Sequence, residues 1–146
     1  MRIIAHRANL FGPVPLEENE PSQIEKAISL GFDVEIDVRI INDEIFLGHD
    51  IPQYKIELEF LTENAVHLWC HAKNAKALDF LLEHNLHTFW HQEDDYTITS
   101  RGIAWAYPDK QTKGVFVMPE WKDTIVNRDA YGVCTDYPYK YRESLL

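Results

Sequence analysis

Residues 34–40 alternate without a break, with Val34, Ile36, Val38 and Ile40 on one face and Glu35, Asp37 and Arg39 on the other. Successive side chains of an extended chain point to opposite sides, so this spacing makes the segment a β-strand. Its apolar face calls for a covering helix. Its charged face then has two outlets. It looks into a barrel interior or open site, where it carries chemistry, or it lies solvated on a sheet edge with Arg39 neutralising one carboxylate.

The neighbouring segments supply the cover. Arg2 to His6 is apolar up to a His-Arg pair and reads as a short buried strand. Gly12-Pro13-Val14-Pro15 forbids regular structure and reads as a loop. Pro21 fits a first helical turn, Ile24, Ala27 and Ile28 recur at helical spacing, and Gly31 supplies a stop. After the alternating strand, Asn42-Asp43-Glu44 is a turn, and Ile45 to Leu47 is a short strand ending at Gly48-His49-Asp50. A short helix is expected over 56–64. Residues 67–73 read as a strand, and Ala77, Leu78, Leu81 and Leu82 define a helix over 75–84. Thr88 to His91 reads as a further strand.

Beyond residue 94 the chain changes character. Residues 96–99, 103–107, 115–118 and 132–135 read as short strands joined by polar or Gly/Pro connections, with no ten-residue helical period between 94 and 131. Main strands thus start near residues 3, 34, 67, 88, 96, 103, 115 and 132, the eight that close a barrel. Length opposes the standard form, since 146 residues leave about 18 per strand against roughly 31. The deficit is uneven, because the first four strands take the first 91 residues. The expected fold is α/β, one domain over 1–146: a minimal TIM-type β/α barrel without helices between its later strands. Those uncovered strands would expose apolar outer faces, so a homodimer is expected.

The chain carries 14 Lys+Arg against 24 Asp+Glu, a net charge of −10. An acidic surface repels a nucleic-acid backbone or anionic membrane, so neither is expected as a partner. No apolar run is long enough for a membrane span, and no charged start leads into an apolar stretch, so a cytoplasmic protein is expected. Cys70 and Cys134 fall on separate strands and read as free buried thiols. Trp69, Trp90 and Trp105 read as packing residues within strands.

Polar groups gather where strands end: His6-Arg7, the Glu35/Asp37/Arg39 face, His49-Asp50, His71-x-Lys73 and His91-x-Glu93. In parallel α/β folds, sites form at the carboxyl ends of strands. Two carboxylates two residues apart on an inward face repel each other and lose hydration, a cost that a divalent cation offsets. Their hard oxygens suit Mg²⁺ or Ca²⁺. Two histidines in one site supply an acid and a base near neutral pH. Strand-end placement singles out His6 and His49, whereas His67, His84 and His87 fit surface positions. Arg7 and Lys73 suit a phosphate, or else pair with the surplus carboxylates.

Taken in order, Ile3-Ile4-Ala5-His6-Arg7, Glu18-Asn19, Glu35-Ile36-Asp37-Val38, Gly48-His49-Asp50 and Tyr131-Gly132-Val133-Cys134-Thr135-Asp136-Tyr137-Pro138 closely resemble the glycerophosphodiester phosphodiesterase family. The likeness covers residues 3–50 and 131–144. It implies a TIM-type barrel and a metal-dependent hydrolase of a small glycerol- or sugar-linked phosphodiester. By that resemblance His6 and His49 are the acid/base pair, and Glu35 and Asp37 are metal ligands. Arg7, Lys73, Glu18 and Asn19 line the phosphate side of the mouth. The family usually carries Glu-x-Lys on the third strand, where this chain has His71-Ala72-Lys73. His71 therefore stands at the third metal-ligand position, where imidazole suits Mn²⁺ or Zn²⁺ better than Mg²⁺ or Ca²⁺. It alternatively bonds the phosphate or marks a lost metal site. Ala8 stands where the family commonly has Gly, and Asn9 beside it offers the substrate a polar contact. Two other activities fit the same residues: a catalytically weakened barrel that binds a phosphorylated ligand, and a lyase that releases a cyclic phosphate.

Overall fold

The alternating segment becomes Asp33–Ile41 (β2), the longest strand of the computed structural model, which describes residues 1–145. It follows Arg2–His6 (β1) and Pro21–Ser29 (α1), and turns through Asn42 and Asp43, both left-handed, into Glu44–Leu47 (β3). Next come Tyr54–Ile56 (β4), Leu58–Glu63 (α2), Leu68–Ala72 (β5), Ala75–Glu83 (α3) and Thr88–Phe89 (β6). The remainder holds Tyr96–Ile98 (β7), Ala104–Ala106 (β8), Val115–Val117 (β9), Gly132–Thr135 (β10) and Pro138–Ser144 (α4).

The architecture is mixed α/β, with all ten of these strands in one sheet. β2 is long enough to pair three ways: parallel to β1 through 33–35, parallel to β5 through 34–38, and antiparallel to β3 through 38–41. The parallel series runs β6-β5-β2-β1-β10-β9-β8, which places seven strands side by side. β7, expected from the sequence as a main strand, pairs only antiparallel with β8 and forms a hairpin at its edge. Between β6 and that hairpin run individual bonds, from Ser100 N to Thr88 O at 2.8 Å and from Thr97 Oγ1 to Trp90 O at 2.8 Å.

The first half has the helical cover that its sequence calls for. Ile24 and Ala27 of α1 and Ala77 and Leu81 of α3 pack on Val34, Ile36 and Val38 in one buried cluster. Asn74 caps α3, accepting from Ala77 N, and the same side chain donates to Ile40 O, so helix and strand are pinned together. No helical segment joins β8 to β9. Both are three residues long, so the 107–114 link has to climb back only about 10 Å. The outer faces of β9 and β10 are nevertheless covered: Phe116 and Val133 pack with Ala130 and Val126 of the 118–131 connection and with Tyr141 of α4. The sequence shows no helical period at 138–144, where α4 forms.

The opposite face of the sheet has a layered order. Ile4, Trp69, Phe89, Trp105, Val115 and Cys134, from six different strands, form one buried cluster. Two positions further along four of these strands, on the same face, stand His6, His71, His91 and Asp136. The apolar layer is a floor, and the polar groups lie above it at the carboxyl ends. Cys70 and Cys134 are free and buried, and burial raises both thiols, that of Cys70 to about 12. Trp90 lies just past β6 and is partly exposed, whereas Trp69 and Trp105 are buried. His87, placed at the surface by sequence, is only 4 % exposed, with its ring 4.1 Å from that of Trp69. Its position two residues before Phe89 puts it on the inward face.

Candidate active site

Glu35 and Asp37 settle the choice left open by the alternating strand: they are 2 % and 0 % exposed, so the charged face is inward and not a solvated edge. Arg39 does not neutralise them. Its guanidinium is bound to the carbonyls of Gly48 and His49, which fastens the loop after β3 to β2. Gly48 is required there, because a Cβ would lie 1.9 Å from the Ile51 carbonyl oxygen. The result is His49 held over the end of β2.

At the end of β1, Arg7 and Ala8 are both left-handed, with φ 53° and 65°. That turn aims the Arg7 amide at Glu35, donating to its backbone oxygen at 3.0 Å and to Oε2 at 3.2 Å. A glycine would adopt this conformation freely, whereas Ala8 costs about 1 kcal/mol there. The Arg7 side chain lies within the site. Its Nη2 donates to His49 Nδ1 at 2.8 Å, and Nε and Nη1 stand 3.4 Å and 3.7 Å from Asp37 Oδ2 and Glu18 Oε2.

Asn19, also left-handed, is fully buried and grips Asp37 at both ends: its amide donates to Oδ2 at 3.0 Å, and its carbonyl accepts from the Asp37 backbone at 2.9 Å. Glu18 accepts from Asn9 at 2.9 Å. Asn9 is itself buried, with its amide shared between Glu18 and Asp136, so it braces the loop after β1 instead of facing a substrate.

His6 Nδ1 donates to Asp136 Oδ1 at 2.8 Å, leaving Nε2 bare and 3.8 Å from Glu35 Oε2. Burial alone would lower the His6 pKa, but the bond to Asp136 and the charge of Glu35 outweigh it and raise the value above 6.5. Sequence pattern assigns Asp136 no role; its signal is its place two residues after Cys134 on the inward face. It is held in turn by Glu120, whose Oε1 accepts from the Asp136 amide at 3.1 Å and from Thr135 Oγ1 at 2.8 Å. Glu120 lies in the turn after β9, with no sequence pattern to single it out.

Glu35, Asp37 and His71 each offer a ligand atom, all within 4.8 Å of one another. Asp37 Oδ1 is buried and has no hydrogen-bond partner. Burial opposes ionisation of Asp37, but His49, His71, Arg7 and Asn19 outweigh it and lower its pKa. An unpartnered carboxylate oxygen, its ionised form favoured, beside a second carboxylate and an imidazole fits a divalent cation. An adjoining cavity of about 320 Å³ is lined by His6, Arg7, Glu35, His49, His71 and Lys73 on one side. Phe89, Trp105, Tyr107, Met118 and Trp121 line the other. A second hollow of about 250 Å³ lies beyond His49, against Glu18 and Asn19. A larger one, about 680 Å³, opens at the opposite end beside Arg2 and Asp33, away from these groups.

All nine residues singled out by sequence, His6, Arg7, Glu18, Asn19, Glu35, Asp37, His49, His71 and Lys73, border this region or brace a residue that does. The chain matches no family model, no curated protein and no solved structure. Among the described residues, no helix is long and apolar enough to cross a membrane.

Proposed function

We propose that the sheet is a reduced β/α barrel and that its polar end is the active site of a metal-dependent phosphodiesterase acting on a small glycerol- or sugar-linked phosphodiester. The observation that carries this reading is that two histidines flank the carboxylate pair with opposite partners at Nδ1, an acceptor for His6 and a donor for His49. His6 has its proton on Nδ1, facing Asp136, and a free lone pair on Nε2. His49 accepts from Arg7 at Nδ1, so its proton is on Nε2, on the Asp50 side. One ring is poised as base and the other as acid, which displacement at phosphorus needs.

Glu35, Asp37 and His71 would hold the cation, which when bound would neutralise phosphate charge in the transition state. Arg7 and Lys73 add positive charge on the same side of the cavity. The attacking hydroxyl, from water or a neighbouring substrate group, gives its proton to His6 Nε2. Asp136 stabilises the imidazolium so formed. His49 Nε2 gives its proton to the departing alkoxide. Asn19 and Glu120 act at one remove, by fixing Asp37 and Asp136.

Hydrolysis of a chromogenic phosphodiester with added divalent metal, and its loss with chelator, tests the proposal. His6→Ala and His49→Ala should each lower turnover by about 10²–10⁴-fold with the fold intact. Full activity in both variants refutes it, and binding of phosphate esters without metal-stimulated turnover favours the ligand-binding alternative. A homodimer does not follow from this reading, because the outer faces of β9 and β10 from which it was expected are covered; sedimentation at high concentration decides it.

A further inference from the structure

His71 is the group that makes this site something other than an all-oxygen one, and its surroundings decide which nitrogen it offers. Its Nε2 donates to the His91 carbonyl at 3.0 Å, which leaves the lone pair on Nδ1. The ring stacks on Phe89, with centroids 4.8 Å apart and planes within 19°, so its orientation is set by packing. Nδ1 then lies 3.4 Å from Asp37 Oδ1 and 3.7 Å from Glu35 Oε1. Such separations are close to the roughly 3.0–3.6 Å between two ligands of one ion with bonds of about 2.1 Å.

At 3.4 Å this nitrogen makes no hydrogen bond with Asp37 Oδ1, and a cation among the three groups would take the facing atoms of all of them. The other two imidazoles are committed differently, since His49 Nδ1 is taken by Arg7 and His6 is tied to Asp136. Donor chemistry then chooses the ion. Mg²⁺ and Ca²⁺ are hard and favour oxygen shells, whereas Mn²⁺, Fe²⁺, Co²⁺ and Zn²⁺ accept imidazole readily. Resting on the metal-dependent reading of this site, we infer that Glu35, Asp37 and His71 bind a first-row transition cation of the Mn²⁺ or Zn²⁺ class, through His71 Nδ1, in preference to Mg²⁺ or Ca²⁺. This chooses between the Mg²⁺ or Ca²⁺ and the Mn²⁺ or Zn²⁺ that the sequence leaves open.

Two measurements on the full chain test it. Pulsed electron paramagnetic resonance of the Mn²⁺-loaded protein should show coupling to a directly bound imidazole nitrogen, and His71→Gln should remove it. Calorimetric titration with Mn²⁺, Zn²⁺, Mg²⁺ and Ca²⁺ should show that His71→Glu lowers the ratio of Zn²⁺ to Mg²⁺ affinity about tenfold or more. Absence of nitrogen coupling in the wild type, its persistence in His71→Gln, or an unchanged affinity ratio overturns the inference. If an ion still binds in those cases, the metal-dependent reading stands. Failure of all four ions to bind overturns both.

Discussion

Acidification should unfold this protein partly through one histidine remote from the candidate site. His87 Nε2 is 2.7 Å from Thr99 Oγ1 and its ring lies against Trp69. Burial, and then the charges of Arg101 and Arg2, push its pKa down to about 4 from 6.5. Between those two pH values the unfolded chain binds a proton that the fold rejects, so stability is complete above pH 6.5 and falls as pH drops toward 4. The interval is worth at most about 3.4 kcal/mol. Arg101 is exposed and the Arg2 side chain is 52 % exposed, so solvent screening reduces the expected loss to about 2 kcal/mol. Urea melts at pH 7.5, 6, 5 and 4 on wild type and His87→Gln isolate this contribution, because the carboxylates common to both cancel in the difference. At pH 7.5 the variant should be less stable by about 1–2 kcal/mol through loss of the ring contact. By pH 4 that gap should close or reverse. A gap that stays constant with pH refutes the reasoning.

Three further outcomes follow from contacts in the site. Asp136→Asn should return the His6 proton to Nε2 and lower kcat on a chromogenic phosphodiester by about 10²–10⁴-fold with little change in KM; an unchanged kcat refutes the orienting role. Asn19→Ala removes both bonds to Asp37 and leaves its buried amide unpaired, so a loss of about 2–3 kcal/mol is expected in chemical denaturation. Stability equal to wild type would show that Asp37 is held without Asn19. Gly48→Ala places a Cβ in collision with Ile51 O, so it should cost more than about 2 kcal/mol and displace His49. A variant with wild-type melting temperature and activity contradicts that.

The legible parts of the fold are those where periodicity and burial coincide. The alternation at 34–40 announced β2 while leaving its carboxylates between the interior and a solvated edge, and Ile24, Ala27, Ala77 and Leu81 announced the helices that cover it. Where a segment answers to a distant partner, the local signal fails. Tyr96–Ile98 has the composition of any short strand, and only its antiparallel partner makes it a hairpin edge. Tyr137, Pro138 and Tyr139 look like an aromatic tail until Phe11 stacks on Tyr139 and Phe32 meets it edge-on. His87 follows a helix stop and reads as exposed, yet the register of β6 turns it inward. In the site, strand-end position identified His6 and His49, while Glu120 acts from a turn whose location depends on the sheet being assembled.

The bond between His6 and Asp136 spans 130 positions of sequence, and β1 lies between β2 and β10. A chain emerging from the ribosome therefore presents both histidines, both carboxylates and His71 well before it presents the oxygen that orients His6. Until β10 docks, β1 has an open edge and its histidine has no fixed tautomer. On the proposed reading, incomplete chains therefore lack activity, which the order of synthesis withholds until β10, the last strand in time, enters between β1 and β9.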